Sequence, residues 1–452
     1  MKRQIDLLNG PIFSSLTGLA LPIMATSLVQ MAYNLTDMAW IGRVGPSAVA
    51  AVGTAGMYTW LSQGIVALAK MGGQVKVAHS LGEGKEDEAA VYAQGSLQMG
   101  ILFALLFAVI CLAGAGPLIG FFGLQDAETA FQSRIYLQIT CGCILFPFLN
   151  AILTGLLTAT GDSKTPFLAN VVGLALNMLL DPVLIFGIGP FPQMGVAGAA
   201  VATVSAQAVV TLVFVLAVRK DEILFRRIRL WKKTPGHYMR AMAAIGIPAA
   251  LQNLLYTGIS MVLTRLVVSF GDVAVAVQRV GGQVESISWM TAEGFGAAIN
   301  SFAGQNYGAR KYDRVKKGYL TAIAVIIILG TLCGLLLIYG GGPIFQLFIQ
   351  DPSVLPQGKD YLRILGYGQM FMCVELTTVG ALSGLGKTFL SSVLSIVFTS
   401  LRIPMAMMLS GTALGLNGIW WALTISSVAK GIVFFVCFLW VSHRLLRRKE
   451  IL

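Results

Sequence analysis

Charge is what this chain has least of. Asp, Glu, Lys and Arg make up 12% of its 452 residues, about half the share of a soluble domain. That scarcity excludes a water-soluble globule of this size. Histidine is rarer still: His79, His237 and His443 all fall at or beyond helix ends, and no DDxxD cluster is present. An intramembrane prenyl or phosphoryl transferase, which needs clustered aspartates for magnesium or a catalytic histidine, is therefore disfavoured. The six cysteines (Cys111, Cys141, Cys143, Cys333, Cys373, Cys437) lie inside apolar stretches. Cys141 and Cys143, one residue apart, match no zinc spacing, so the cysteines read as small apolar filler. A complete phosphate loop is also missing. GDSKT (161–165) and GLGKT (384–388) end in Lys-Thr, but neither has the glycine spacing or a preceding strand, which excludes ATP hydrolysis. No cleavable signal segment is apparent, because the first apolar stretch outruns a signal core.

What the chain has in abundance is apolar sequence, 56% of all residues. Its runs reach the roughly 20 residues a bilayer-spanning helix needs and are far longer than barrel strands. The class is all-α integral membrane protein. Twelve spans are expected: 13–42, 50–78, 92–119, 131–158, 166–187, 196–218, 240–268, 273–303, 318–340, 359–383, 389–410 and 415–442. An even number puts both termini on one side. Basic residues crowd that side, in Arg219 to Arg240, Arg310 to Lys317 and Arg444 to Lys449, and are sparse on the other (Arg43, Arg134, Arg265, Arg279, Lys359, Arg363). The positive-inside rule makes that side cytoplasmic. The net charge of +12 is thus a topology signal, and no nucleic-acid partner is expected. The basic stretch 219–240 is expected to link two halves and to lie on the inner membrane surface as an amphipathic helix that meets anionic lipid.

The two halves repeat at an offset of 226 residues. Pro22 matches Pro248, Gly45 matches Gly271, Gly56 matches Gly282, and Gly82, Lys85 and Asp87 match Gly308, Lys311 and Asp313. Gly116–Pro117 matches Gly342–Pro343; after small slips Pro182 matches Pro404, and Gly195 and Gly198 match Gly415 and Gly418. Six spans per half is even, so the repeats run parallel, related by an axis along the membrane normal. Expected boundaries are an N-lobe at 1–218, a basic linker at 219–240 and a C-lobe at 241–452.

An ionised group at mid-bilayer costs about 2.5–3.5 kcal/mol or more, so each one needs a partner or a use. Asp37 lies in the first span and Asp181 in the fifth. Asn34 shares a helix face with Asp37, and Asn177 shares one with Asp181. Pro182 should interrupt the backbone ladder beside Asp181 and free carbonyls there. By the repeat, Asp37 falls on Leu263, Asn177 on Thr399 and Asp181 on Ile403, so the acidic pair belongs to the first half alone. Two carboxylates sharing a low-dielectric site call for a proton or a cation between them. The second half carries Arg265, Arg279, Glu285, Glu293, Glu375 and Arg402, with Glu375 and Arg402 expected to pair. Tyr33, Tyr136 and Tyr256 are candidate aromatic partners for organic cations. Met31, Met178 and Met261 are adaptable side chains of the kind that line promiscuous pockets.

The duplicated halves, NLTDMAWIGRVGPSAVAAVG (34–53), NMLLDP (177–182) and GQNYGARKYDRVKKG (304–318) together resemble the multidrug and toxic compound extrusion (MATE) family over nearly the whole chain. The resemblance implies two six-helix lobes forming a V-shaped cleft. It also implies export of amphipathic, often cationic compounds in exchange for inward protons or sodium, with no cofactor and no enzymatic activity. It implies an N-lobe cation site, for H+ or Na+, at Asp37, Asn177, Asp181 and Thr203. Asn34, Tyr136 and Asn150 would be supporting polar residues, and Tyr33, Met31, Met178, Tyr256 and Met261 would line the substrate path. A multi-pass plasma-membrane monomer is expected. Where another branch of the family keeps acids in the seventh helix, this chain has Gln252 and Asn253, which favours coupling through the first lobe. The alternative is a flippase for lipid or lipid-linked oligosaccharide within the same superfamily.

Overall fold

A computed structural model describes residues 5–124, 126–219, 224–346 and 354–451. Sixteen helices carry them: α1 (Ile12–Val44), α2 (Pro46–Gly82), α3 (Glu86–Ala113), α4 (Ala115–Gly120), α5 (Ala127–Gly142), α6 (Leu145–Ala159), α7 (Lys164–Phe186), α8 (Gly195–Val218), α9 (Gly236–Val268), α10 (Asp272–Gly308), α11 (Tyr312–Gln346), α12 (Leu355–Gly366), α13 (Gln369–Gly384), α14 (Thr388–Ser400), α15 (Arg402–Ser410) and α16 (Leu416–Ile451). Helix is the physical necessity here, since only a helix satisfies its own backbone in hydrocarbon. Each expected span falls on one helix or on a closely spaced helix pair. Among the described residues, eight helices are long and apolar enough to cross a membrane, or nine if α5 and α6, bent by 45°, form one span. The rods outside that set are α2, α10 and the α12–α13 pair.

Two compact units emerge from the contacts, one of residues 25–250 and one of residues 5–24 with 251–452. The divisions fall inside α1 and α9, because each of these helices packs its first and second halves into different units. In the first unit α2 packs on α3, α5 and α6, and α7 packs on α8. Its core includes Phe148, Ile152, Leu156 and Phe214, all fully buried. In the second unit α10 packs on α11 and α13, and α16 packs on α13 and α15. Phe302, Tyr319, Phe434 and Phe438 fill one part of its core.

The sequence repeat is a structural repeat. Adding 226 to the bounds of α2 gives those of α10, and adding it to the start of α3 and the end of α4 gives those of α11. The turns repeat too. After α2, Gly84 adopts φ 73° while Lys85 N–H bonds Ser80 O at 2.9 Å; after α10, Arg310 adopts φ 57° while Lys311 N–H bonds Asn306 O at 2.8 Å. Both are left-handed helix stops that satisfy terminal carbonyls, but the second half builds its stop without glycine. Gly198 and Gly418 also share a role: a Cβ on either would strike the backbone at the end of the preceding helix.

Two local expectations change. The loss of a ladder bond expected at Pro182 does not divide the helix: α7 runs from Lys164 through Pro182 to Phe186. The interruption occurs in its twin, where α14 ends at Ser400 and α15 restarts at Arg402. Pro404 lies four residues beyond Ser400, where its ring meets the i−4 carbonyl. The second change concerns the linker, whose described part is not an amphipathic helix. It holds one 3-10 turn, Phe225–Arg227, followed by irregular chain up to α9.

Candidate cation-binding site in the first unit

Helix rotation brings the polar faces of α1, α7 and α8 together. In α7, Asn177 and Asp181 are one turn apart, and the Asn177 amide donates to the Asp181 carboxylate at 3.0 Å. Both residues are buried, Asp181 completely. Asp37 comes from the second half of α1, and its carboxyl group lies within hydrogen-bonding reach of that of Asp181. Among the described residues, Asp37 Oδ1 and Asp181 Oδ2 are buried without a hydrogen bond. Two neighbouring carboxyl groups, each with a buried oxygen that lacks a donor, are an arrangement that a proton or a small cation completes. Each orphaned oxygen otherwise costs about 1–3 kcal/mol.

Asn177 also lines a cavity of about 20 Å³, together with Gln30, Tyr33, Asn170, Thr203, Gln207 and apolar neighbours; neither Asp37 nor Asp181 is in its wall. That is room for about one water-sized occupant. Its oxygens suit a hard cation. Tyr33 Oη and Thr203 Oγ1 are 3.3 Å apart and tie α1 to α8. Gly173, in the cavity wall, has no side chain because Val210 fills the space a Cβ would need, so α7 and α8 approach closely there.

Tyr136 of α5 is buried within electrostatic reach of both aspartates. Asn150 of α6 is held from α8: its amide donates to the Gln207 carbonyl at 3.0 Å and side chain at 2.8 Å, and its Oδ1 accepts from Thr211 at 2.8 Å. Gln207 and Thr211 were absent from the expected set. The signal that points to them is spacing, for they follow Thr203 at four and eight residues on one helix face. Asn34, expected as support, is exposed and accepts from Gln30 at 3.4 Å. Met31 and Met178 are half-buried, whereas Tyr256 and Met261, in the second unit, are exposed.

The second unit's polar groups pair differently from expectation. Glu375 does not meet Arg402. It forms a buried ion pair with Lys430 of α16 at 2.8 Å. The buried Arg402 guanidinium donates instead to Ser426 and Ser427, at 3.1 Å each. Gln369 donates to Glu285 at 3.1 Å. Glu293 is exposed, as are Arg265 and Arg279. Lys430 carried no signal beyond its presence in an apolar run. Its partner lies 55 positions away, on a helix whose facing residue only packing selects.

The GDSKT turn also finds a role. Asp162 accepts from the Thr165 backbone at 3.0 Å and from its hydroxyl at 2.5 Å, capping the start of α7.

Comparisons with known proteins agree with this frame. The MatE family pattern matches residues 22–183 and 248–408, one match in each half. "Probable multidrug resistance protein NorM" of Thermotoga maritima is 27% identical over 97% of this chain and 96% of its own length. A "FAD transporter" of Shewanella oneidensis is 27% identical over 96% of each chain. Among solved structures, a MATE protein in its bent conformation superposes with TM-score 0.91 at 24% identity, covering 100% of this chain and 99% of its own. A MOP-superfamily transporter from Pyrococcus furiosus superposes with TM-score 0.90 at 24% identity, covering 97% and 98%.

Proposed function

Taking as premise that this chain belongs to the MatE family of multi-pass membrane transporters, we propose that it exports amphipathic, cationic organic compounds in exchange for inward protons or sodium ions. It is a transporter of the multidrug-efflux kind and not an enzyme. The carrying observation for antiport is the Asp37–Asp181 pair, with one buried, unbonded oxygen on each. In this reading the pair alternates between holding and releasing a cation as water access changes sides, and the cation's differential affinity drives the conformational change. Asn177 orients Asp181, Thr203 and Tyr33 close the α1–α8 side, and Asn150 with Gln207 and Thr211 fixes α6 against α8. Tyr33, Met31, Met178, Tyr256 and Met261 contact substrate. The protein works as a monomer in the plasma membrane with both termini cytoplasmic, where the basic loops gather.

A second reading concerns the substrate alone. The similarity to a FAD transporter and the buried guanidinium of Arg402, which meets hydroxyls and, among the described residues, no carboxylate, favour an anionic, flavin-type cargo. Efflux from proteoliposomes separates these readings. Proton and sodium gradients are imposed one at a time, with a cationic dye or FAD inside. Gradient-driven dye export, absent in Asp37→Asn, is the expected result; export by that variant at the wild-type rate would refute the site.

A further inference from the structure

The described linker is a strap clamped onto α3. Gln94 donates to Lys232 O at 2.6 Å and to Thr234 Oγ1 at 3.2 Å, and its Oε1 accepts from Arg229 N at 3.1 Å. Gln98, one turn further on, donates to Leu230 O and Lys232 O at 2.8 Å each and accepts from Thr234 N at 3.3 Å. Two glutamines thus hold the backbone of 229–234 against the helix. This leaves Leu230, Trp231, Lys232 and Lys233 facing out, Trp231 with 103% relative exposure.

The strap's depth follows from the sequence of α3. Gln94 and Gln98 lie about 12 and 18 Å along the helix from its first residue, and its long apolar run begins at Met99. The strap therefore crosses α3 where that span passes from polar to apolar, which is the headgroup layer. Nearby acids are already engaged. Glu86 and Asp87 pair with Arg227, at 2.6 and 2.9 Å, and Glu83 and Glu88 pair with Lys85, at 2.5 and 3.8 Å. Among the described residues Arg229, Lys232 and Lys233 have no ion-pair partner and are exposed.

We propose that the strap is a docking surface for anionic phospholipid headgroups. Arg229, Lys232 and Lys233 meet the phosphates, and Trp231 sits at the headgroup–acyl boundary, where tryptophan is favoured. The inference is independent of substrate and coupling ion.

The test uses the full-length protein in bilayers of uniform composition on both faces, so orientation does not enter. Electron paramagnetic resonance reads the motionally restricted fraction of spin-labelled phosphatidylglycerol against that of spin-labelled phosphatidylcholine. The wild type should show an excess for phosphatidylglycerol. Relative affinity should fall on the order of fivefold for each charge removed in the series R229Q, R229Q/K232Q and R229Q/K232Q/K233Q. Lys316→Gln with Lys317→Gln, a charge control in the second unit, should leave the excess in place. Trp231→Ala should reduce it with every charge retained. An excess that survives the triple variant overturns the proposal, as does equal loss in the control. Abolition of the excess by inorganic phosphate would identify a free-anion site and overturn it as well.

Discussion

The two halves share the bounds of α2 and α10 and the turns that follow them, yet they treat buried charge differently. The first unit brings two aspartates together, each with a buried oxygen left unbonded. At the corresponding positions the second unit has Leu263 and Ile403. It buries its own acid, Glu375, against Lys430, and satisfies Arg402 with hydroxyls. A neutralised pair is complete in itself. In the proposed antiport, an uncompensated one is completed by an ion, and that requirement would tie ion binding to conformation. The duplicated frame is thus a control experiment within one molecule: common structure follows from the common sequence, and the chemistry differs where the sequence does.

Five predictions bear on that contrast and on the local structure around it. The largest effect belongs to Asp37→Asn, which should reduce gradient-driven efflux to background while leaving the protein folded by circular dichroism. Asp181→Asn should blunt the pH or sodium dependence of efflux, and an unchanged dependence would remove Asp181 from the coupling role.

Next comes the ion pair. Lys430→Met strands a buried carboxylate and should cost about 3–5 kcal/mol, whereas Lys430→Met with Glu375→Leu should restore most of that loss. Thermal unfolding in detergent reads both. If the double variant is no better than the single, the pair is not self-contained.

The twin helix stops give a smaller, two-way effect. Arg310→Gly should stabilise by about 1 kcal/mol, because a left-handed backbone strains any residue that carries a Cβ. Gly84→Arg should cost about the same. Equal melting temperatures for all three proteins would show that left-handed strain contributes nothing at either turn.

The smallest effect depends on pH. Hydrogen bonds from the Thr129 hydroxyl and backbone hold the Asp126 carboxyl below the usual carboxylate range. A lowered folded-state value gives stability that is present above the unfolded value of about 3.9 and is lost as pH falls through the folded one. Asp126→Ala should therefore melt lower than wild type at neutral pH, and the gap should close in acid. A gap that stays constant with pH would show that the carboxylate charge plays no part in this cap.

Much was legible because the signals are local. Asp37 and Asp181 stand out in apolar runs by transfer cost alone, and Asn177 follows from helical spacing. Gln207 could have been reached by extending that spacing from Thr203. Asn34 was misplaced by the same rule: three residues from Asp37 is close enough to share a side of the helix, but not close enough to share its contact. Pro182 misled differently. A proline removes one hydrogen bond, and packing around α7 decides whether the helix bends or runs through.

By itself the sequence determined the class, the duplication, the placement of helices and the absence of counterparts to Asp37 and Asp181 in the second half. Each of these depends on hydropathy, residue spacing or a constant offset, quantities that short segments carry within themselves. Only the tertiary structure decided that Lys430 rather than Arg402 answers Glu375, that Asn150 is held by Gln207 and Thr211, and that two glutamines clamp the basic strap with Trp231 outward. Those outcomes depend on how far each helix is rotated about its own axis. Successive residues point about 100° apart, so a small change in rotation or bend replaces one facing side chain with another.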